Sequence, residues 1–305
     1  MKSLGRLVSL VPIFCWLGAA SVAAQEYAVT GMVLKVNRTE KSVVVSHEPI
    51  QKLMDRMTMA FPVLDGKELE SLVPGAIVEF TLVVTKDTSY ARQFRVRRYE
   101  SVEQDPLNAG RLGLLSRINR GASAVPALTV GQVVPDFALT NQANQRVSLS
   151  QFRGKVVALT FIYTACALPQ FCLRSANNFG VLQTRFSQEL GRDLILLTVT
   201  FDPLRDRPDV LARYASQWKA DPRTWSFLTG DVSDVRRVCQ MFGVDFFPNE
   251  GLMDHSLRTA LIDRQGTLVA NIEGNQFTAG QLSDLARSVM SQARPPRADE
   301  RRGPK

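Results

Sequence analysis

Cysteine and histidine are scarce in this sequence, and their positions carry most of what it says. Among 305 residues there are four cysteines and two histidines. Cys15 lies in an apolar N-terminal leader, which leaves Cys166, Cys172 and Cys239 for the body of the chain. Three thiols are too few for a disulfide framework, so a small stapled fold is excluded. Long apolar runs are missing outside the leader, and no other segment is expected to cross a bilayer. Basic residues outnumber acidic ones, 37 to 29, for a net charge of +8. They are spread along the chain, with a local excess in the tail and no interleaved aromatics, so nucleic acid is not an expected partner. Hydrophobic residues make up 45% of the chain, enough for packed cores, and the length exceeds what one ordinary domain needs.

Residues 1–24 read as a signal peptide. Lys2 and Arg6 form the positive region, Leu7 to Leu17 are mostly apolar, and Val22-Ala23-Ala24 offers small residues for cleavage before Gln25. The alternative is a retained N-terminal membrane anchor, but the apolar run is short for a span and Pro12 interrupts it. Phe14 is too bulky to precede a lipoprotein cysteine at Cys15. Export would place the chain where disulfides can form.

Two domains are expected. In residues 27–98, the β-rich runs Ala28–Val36, Val43–Val45, Met57–Val63, Ala76–Val84 and Ala91–Arg97 predict five short strands, with a helical turn at Gly66–Leu72. That content suggests a small all-β barrel of the OB type. Residues 99–129 form a linker broken by Pro106, Gly110, Gly113, Gly121 and Pro126. Residues 130–290 alternate strand and helix. Val156–Ile162 and Leu194–Val199 read as strands buried on both faces. Helices are predicted over Ser175–Leu190, from Pro208, over Val232–Phe242 and over Gln281–Met290, with a hairpin of Leu257–Ile262 and Thr267–Ile272 between the last two. This is the order of an α/β thioredoxin-like sheet. Residues 291–305, rich in Pro and Arg, are expected to be a disordered tail.

The chemistry gathers at two places. Phe161 to Cys172 is an apolar run ending in two cysteines, Cys166 and Cys172, with five residues between them. They follow a central strand, at the edge of the sheet where α/β folds bind ligands. Pro169 keeps the intervening loop from becoming regular helix, and a nearby helix N-terminus favours a thiolate. His255, in Asp254-His255-Ser256, is expected to open a strand beside that loop. Two thiols and an imidazole make a soft-metal site, a redox site, or both. Such a set suits three-coordinate Cu(I), whereas zinc wants a fourth ligand. The bland alternatives are buried or bridged cysteines and a structural histidine. Met253 and Cys239 read as core, and Asp202-Pro203-Leu204-Arg205-Asp206 reads equally as a support for the site edge or as a capped turn.

The second place surrounds His47, at the end of a strand. Met54, Met57 and Met59 fall within six residues, and Met57 and Met59 share one strand face. Thioethers with an imidazole form a soft Cu(I) site, against the alternative of a methionine-filled core.

With those residues in hand, residues 130–290 resemble the Sco/SenC family of thioredoxin-fold copper proteins. The matching pieces are Val130-Gly131 with Pro135-Asp136-Phe137, Gly154-Lys155, Cys166 and Cys172, Asp202 to Asp206, Leu228-Thr229-Gly230, and Asp254-His255-Ser256 leading into Leu261-Ile262-Asp263. The resemblance implies copper, as Cu(I) or Cu(II), bound by Cys166, Cys172 and His255. It also implies delivery of copper to, or thiol reduction at, the CuA site of a cytochrome c oxidase subunit. The family usually spaces its cysteines by three residues, and this chain has five. Residues 27–98 resemble the CusF-like copper-binding domain, with His47, Met57 and Met59 matching its ligands. The tryptophan of that family is absent, and Met54 falls about where it would lie, which implies a His plus three Met site. The expected protein is an exported, periplasmic copper metallochaperone. The alternative is an enzyme, a thiol-disulfide oxidoreductase using Cys166 and Cys172, which would have no use for the methionine cluster. A thiol peroxidase lacks its threonine and proline pattern before Cys166.

Overall fold

A computed structural model describes residues 24–97, 114, 126–166, 169–249 and 252–292. The expected signal peptide, most of the linker and the tail lie outside those residues.

The first unit is a five-stranded antiparallel sheet of β1 (Gln25–Asn37), β2 (Ser42–His47), β3 (Met57–Pro62), β4 (Ile77–Val84) and β5 (Ser89–Val96), ordered β3-β2-β1-β4-β5. Alternation along the strands turns Val29, Val33, Val43, Val45, Phe61, Val78 and Phe80 into one buried core. Val63, just past β3, meets Ala91 of β5 at a single isolated bridge, so the sheet curls toward an OB-type barrel without closing it. Only a short 3₁₀ turn, Gly66–Leu69, forms where a longer helical turn was expected. Gly31 of β1 pairs with His47 of β2. A Cβ at Gly31 would lie 2.5 Å from Val45 Cγ1 and 2.8 Å from the His47 Cα, so glycine is required for the strands to close around the histidine.

The second unit has a seven-stranded sheet ordered β14-β13-β8-β9-β10-β6-β7. Its strands are β6 (Ala138–Asn141), β7 (Arg146–Ser148), β8 (Val156–Ile162), β9 (Leu194–Thr200), β10 (Trp225–Thr229), β13 (Arg258–Ile262) and β14 (Leu268–Glu273). A separate hairpin comprises β11 (Phe246–Asn249) and β12 (Leu252–His255). The helices are α1 (Arg174–Arg185), α2 (Pro208–Gln217), α3 (Val232–Phe242) and α4 (Ala279–Met290). Strands β8, β9 and β10 run parallel, and every residue in them is buried, which is why their sequences are unbroken apolar runs with occasional threonine. Helix α3 ends on Gly243 in the left-handed region, φ 72°.

Three expectations change. Helix α1 stops at Arg185, with Phe186 as its cap, short of Leu190. The chain 186–193 folds instead as turns that return Asp193 to β8, where its carbonyl accepts from Val156. His255 closes the short strand β12, paired with Phe246, and does not open a strand. The β6–β7 hairpin adds an antiparallel edge that the sequence reading did not resolve, because its strands are only four and three residues long.

The two units pack on each other. Met32 and Leu34 of β1 are buried in the core of the α/β unit, and each such side chain contributes about 1.5–3 kcal/mol when fully removed from water. Polar contacts flank them. Asp284 of α4 accepts from Ser46 Oγ at 2.8 Å and from Thr58 Oγ1 at 3.4 Å, and Gln281 Nε2 donates to the Ser46 carbonyl at 3.4 Å.

Candidate metal centre

Strand β8 delivers the chain to the sheet edge at Ile162. Tyr163, Thr164 and Cys166 follow immediately. Asp206, 1% exposed, accepts from the Thr164 backbone N–H at 3.0 Å and from the hydroxyls of Thr164 and Thr200. The Asp202 to Asp206 segment therefore supports the site edge by fixing the backbone two residues before Cys166. Beyond the loop, Pro169–Leu173 forms one wide turn, with Phe171 at φ −107° and ψ −106°, and hands Cys172 to the start of α1. The amide of Asn275 binds this turn through the carbonyls of Gln170 and Phe171. The third donor arrives from β12. His255 Nδ1 lies 3.1 Å from the Ser256 carbonyl and its Nε2 lies 3.8 Å from Cys172 Sγ. A carbonyl only accepts, so Nδ1 carries the proton, and the Nε2 lone pair faces the sulfurs.

The donor atoms of Cys166, Cys172 and His255 all lie within 4.8 Å of one another, the one such convergence of Cys, His, Asp and Glu among the described residues. Cys172 is fully buried and Cys166 is 8% exposed. Aromatic rings wall the imidazole: Tyr163 at 5.6 Å, Phe171 at 6.2 Å and Phe201 at 4.7 Å between centroids. Sequence reasoning missed these walls, because Phe171 and Phe201 come from separate segments. Met253 packs against the core, as expected, and Cys239 is a free, buried thiol within α3.

The electrostatics depart from expectation. Burial, together with the hydrogen bond and charge of Cys166, pushes the Cys172 thiol well above its ordinary value, and the nearby helix N-terminus does not offset this. Tyr163 is pushed up to about 12, first by burial and then by the charge of Cys166. Burial raises Cys239 as well. A thiol raised in the folded state keeps a proton that the unfolded state gives up, so stability is fully present below the unfolded thiol pKa and falls as pH rises through it. The denaturant midpoint of the reduced, metal-free protein should therefore fall steadily from about pH 8.5 upward. Cys239→Ala should flatten that fall. A midpoint constant to about pH 10 would contradict the buried-thiol assignment.

The first unit presents a second donor set. His47 is fully buried; its Nδ1 sits 2.7 Å from the Glu48 carbonyl, and its Nε2 is buried without a hydrogen-bond partner. An orphaned imidazole nitrogen is costly unless something binds it. Met57 lies directly across from His47 and Met59 across from Val45, so both methionines share the face of the imidazole. Met57 is 50% exposed, whereas Met54 and Met59 pack partly against the barrel core. Met54 lies outside the ladder, in the connection between β2 and β3, bridged to Ile50. The orphaned lone pair and the thioethers suit a soft cation.

A family model described as SCO1/SenC matches residues 126–290, more than half of the chain. This chain belongs to the SCO1/SenC family. A second model, described as the copper binding periplasmic protein CusF, matches residues 26–93. Among the similar proteins, one of Stutzerimonas stutzeri is 30% identical over 167 residues, 51% of this chain and 79% of its own. The mitochondrial SCO1 protein of Saccharomyces cerevisiae is 29% identical over 162 residues, 51% of this chain and 53% of its own length. The crystal structure of yeast Sco1 with copper bound is 26% identical and covers 57% of this chain and 96% of that one, with a TM-score of 0.46. Among the described residues no helix is long and apolar enough to cross a membrane.

Proposed function

We propose that this chain is a copper carrier of the periplasm, exported by its leader, which holds Cu(I) at Cys166, Cys172 and His255 and at His47, Met54, Met57 and Met59. The observation that carries the reading is the convergence of two sulfurs and one imidazole nitrogen within 4.8 Å inside an aromatic wall. Soft thiolates with one imidazole favour Cu(I) over harder cations. Binding requires both thiols to lose their protons, so the raised Cys172 makes loading proton-releasing and steeply pH-dependent. The aromatic wall would shield the ion on the sides that Tyr163, Phe171 and Phe201 cover. The recipient is proposed to be a copper-accepting subunit of cytochrome c oxidase.

The second reading is a thiol-disulfide oxidoreductase. What favours it is the approach of Cys166 to Cys172, close enough for a hydrogen bond between the thiols. What weighs against it is burial, since an attacking cysteine needs thiolate character and access, and Cys172 has neither. Protein purified anaerobically and loaded with Cu(I) decides between them. We expect two copper ions per chain, protection of Cys166 and Cys172 against thiol reagents, and loss of one of the two ions on oxidation of the pair. Retention of no copper, or retention with both thiols still titratable, would overturn the carrier reading.

A further inference from the structure

We infer that Asn275 is the positioning residue of the Cys172 donor: its amide clamps the turn between the two cysteines so that Cys172 meets Cys166 and His255. The inference rests on the metal-site reading above. Five residues separate the cysteines, so Cys172 stands six positions after Cys166. On a regular helix, six positions rotate the chain by a net of about 240° and carry it about 9 Å along the axis. The sulfurs would then point apart, yet they lie within 4.8 Å of one another and of the imidazole nitrogen. The wide turn Pro169–Leu173 makes the difference, with non-helical backbone at Phe171. Carbonyls in such a turn need donors from outside it. Asn275 supplies them. Its Nδ2 donates to the Gln170 carbonyl and, at 3.5 Å, to the Phe171 carbonyl. One amide thus holds both peptide planes that flank Phe171, including the plane that leads into Cys172.

Asn275 is itself fixed. It is 5% exposed and follows Gly274, whose φ of 73° turns the chain at the end of β14. The Gly274 N–H donates to the Leu257 carbonyl at 2.9 Å, two residues after His255. The segment is therefore pinned to the chain that carries the imidazole, and from there it reaches the turn that carries Cys172. Two residues further on, the buried Phe277 accepts at its carbonyl from Arg174 at 3.3 Å, so the same segment holds the turn on both sides of Cys172. Phe171, held between those two peptide planes, sets its ring edge-on to His255, with 6.2 Å between centroids. One side chain thus sets a sulfur donor and an aromatic wall against the nitrogen donor. The residue type matters. A carboxamide nitrogen carries two N–H donors and can serve two carbonyls, whereas a carboxylate has none.

The test compares the reduced full chain with Asn275→Asp, which keeps the shape and removes both donors, and with Asn275→Ala. Cu(I) is titrated against a competing chelator and followed by the thiolate-to-copper absorbance, which a thioether site lacks. Both variants should bind Cu(I) at the cysteine site about 10–100-fold more weakly, as when groups that orient metal ligands are lost. In the metal-free protein, alkylation of Cys172, mapped by mass, should become about tenfold faster or more while Cys239 stays unreactive, because the turn opens and the rest of the fold does not. A residue that served only the fold as a whole would release Cys239 along with Cys172, and that outcome overturns the inference. Parent-like affinity, or parent-like alkylation of Cys172 in both variants, overturns it as well. Selective release of Cys172 in variants of a parent that itself shows no thiolate-to-copper absorbance would sink the copper reading alone and leave Asn275 as the residue that places Cys172.

Discussion

His255→Ala should lower the Cu(I) affinity of the cysteine site by about a hundredfold or more, while dithiol and disulfide still interconvert. Even groups that only orient metal ligands change affinity by ~10–100-fold, and His255 supplies a donor atom itself, with Nε2 3.8 Å from Cys172 Sγ. Both sulfurs remain in the variant, so disulfide formation stays possible. The two readings therefore part in opposite directions. If the imidazole served thiol exchange, its loss would slow exchange and leave copper affinity alone. The local chemistry favours the first pattern. Burial first, then the hydrogen bond and charge of Cys166, raise the Cys172 pKa, and the backbone hydrogen bond at Tyr163 that lowers it is outweighed. A bound cation would offset that burial, and a cation with two thiolates calls for the third donor. Affinity is read by competition with a chromophoric Cu(I) chelator and exchange by reaction with a small disulfide, on parent and variant. Unchanged affinity with slowed exchange would transfer the chain to the reductase class.

The parts of this architecture that were legible in the sequence are those with strong local signals. Val156–Ile162 and Leu194–Val199 are unbroken apolar runs, and both became strands buried along their whole length. Val232–Phe242, with Gly243 after it, became a helix with those bounds because a glycine that can take φ 72° ends it cleanly. Met57 and Met59 were assigned to one strand face, and the β2–β3 register places them so and adds His47 to that face. What stayed hidden depends on contacts between distant segments. His255 looked like the first residue of a strand because a turn-rich loop precedes it, yet Phe246, nine positions back, draws it into a hairpin of its own. The role of Asp206 could not be separated from that of a capped turn, since its partners Thr164 and Thr200 lie on other strand ends. The thiol pKa was misjudged for a related reason. The helix N-terminus is visible in sequence, but the depth of burial that outweighs it is not.

Met57→Leu together with Met59→Leu should abolish tight Cu(I) binding by the first unit while the barrel stays folded. Leucine conserves volume and apolarity, so the stability cost of each substitution should stay under about 1.5 kcal/mol. What disappears is two thioether donors on the face that His47 shares. The remaining set, His47 Nε2 with Met54, is too small to hold Cu(I) against competition, and affinity should fall by about a hundredfold or more. The cost already present in the parent argues for this outcome. A fully buried imidazole with one nitrogen on the Glu48 carbonyl and the other without a partner is a standing penalty of about 1–3 kcal/mol. A core methionine cluster gives no reason to keep it, whereas a ligand does. His47→Leu in the same protein should therefore lose copper as well and unfold at equal or higher denaturant concentration than the parent, because the orphaned nitrogen goes with the ring. Circular dichroism reports the fold and chelator competition reports the affinity, in protein whose cysteine site is blocked by Cys166→Ser and Cys172→Ser. Parent-like binding in the leucine double variant would return Met57 and Met59 to the barrel core and leave the orphaned His47 nitrogen as an unexplained cost of the fold.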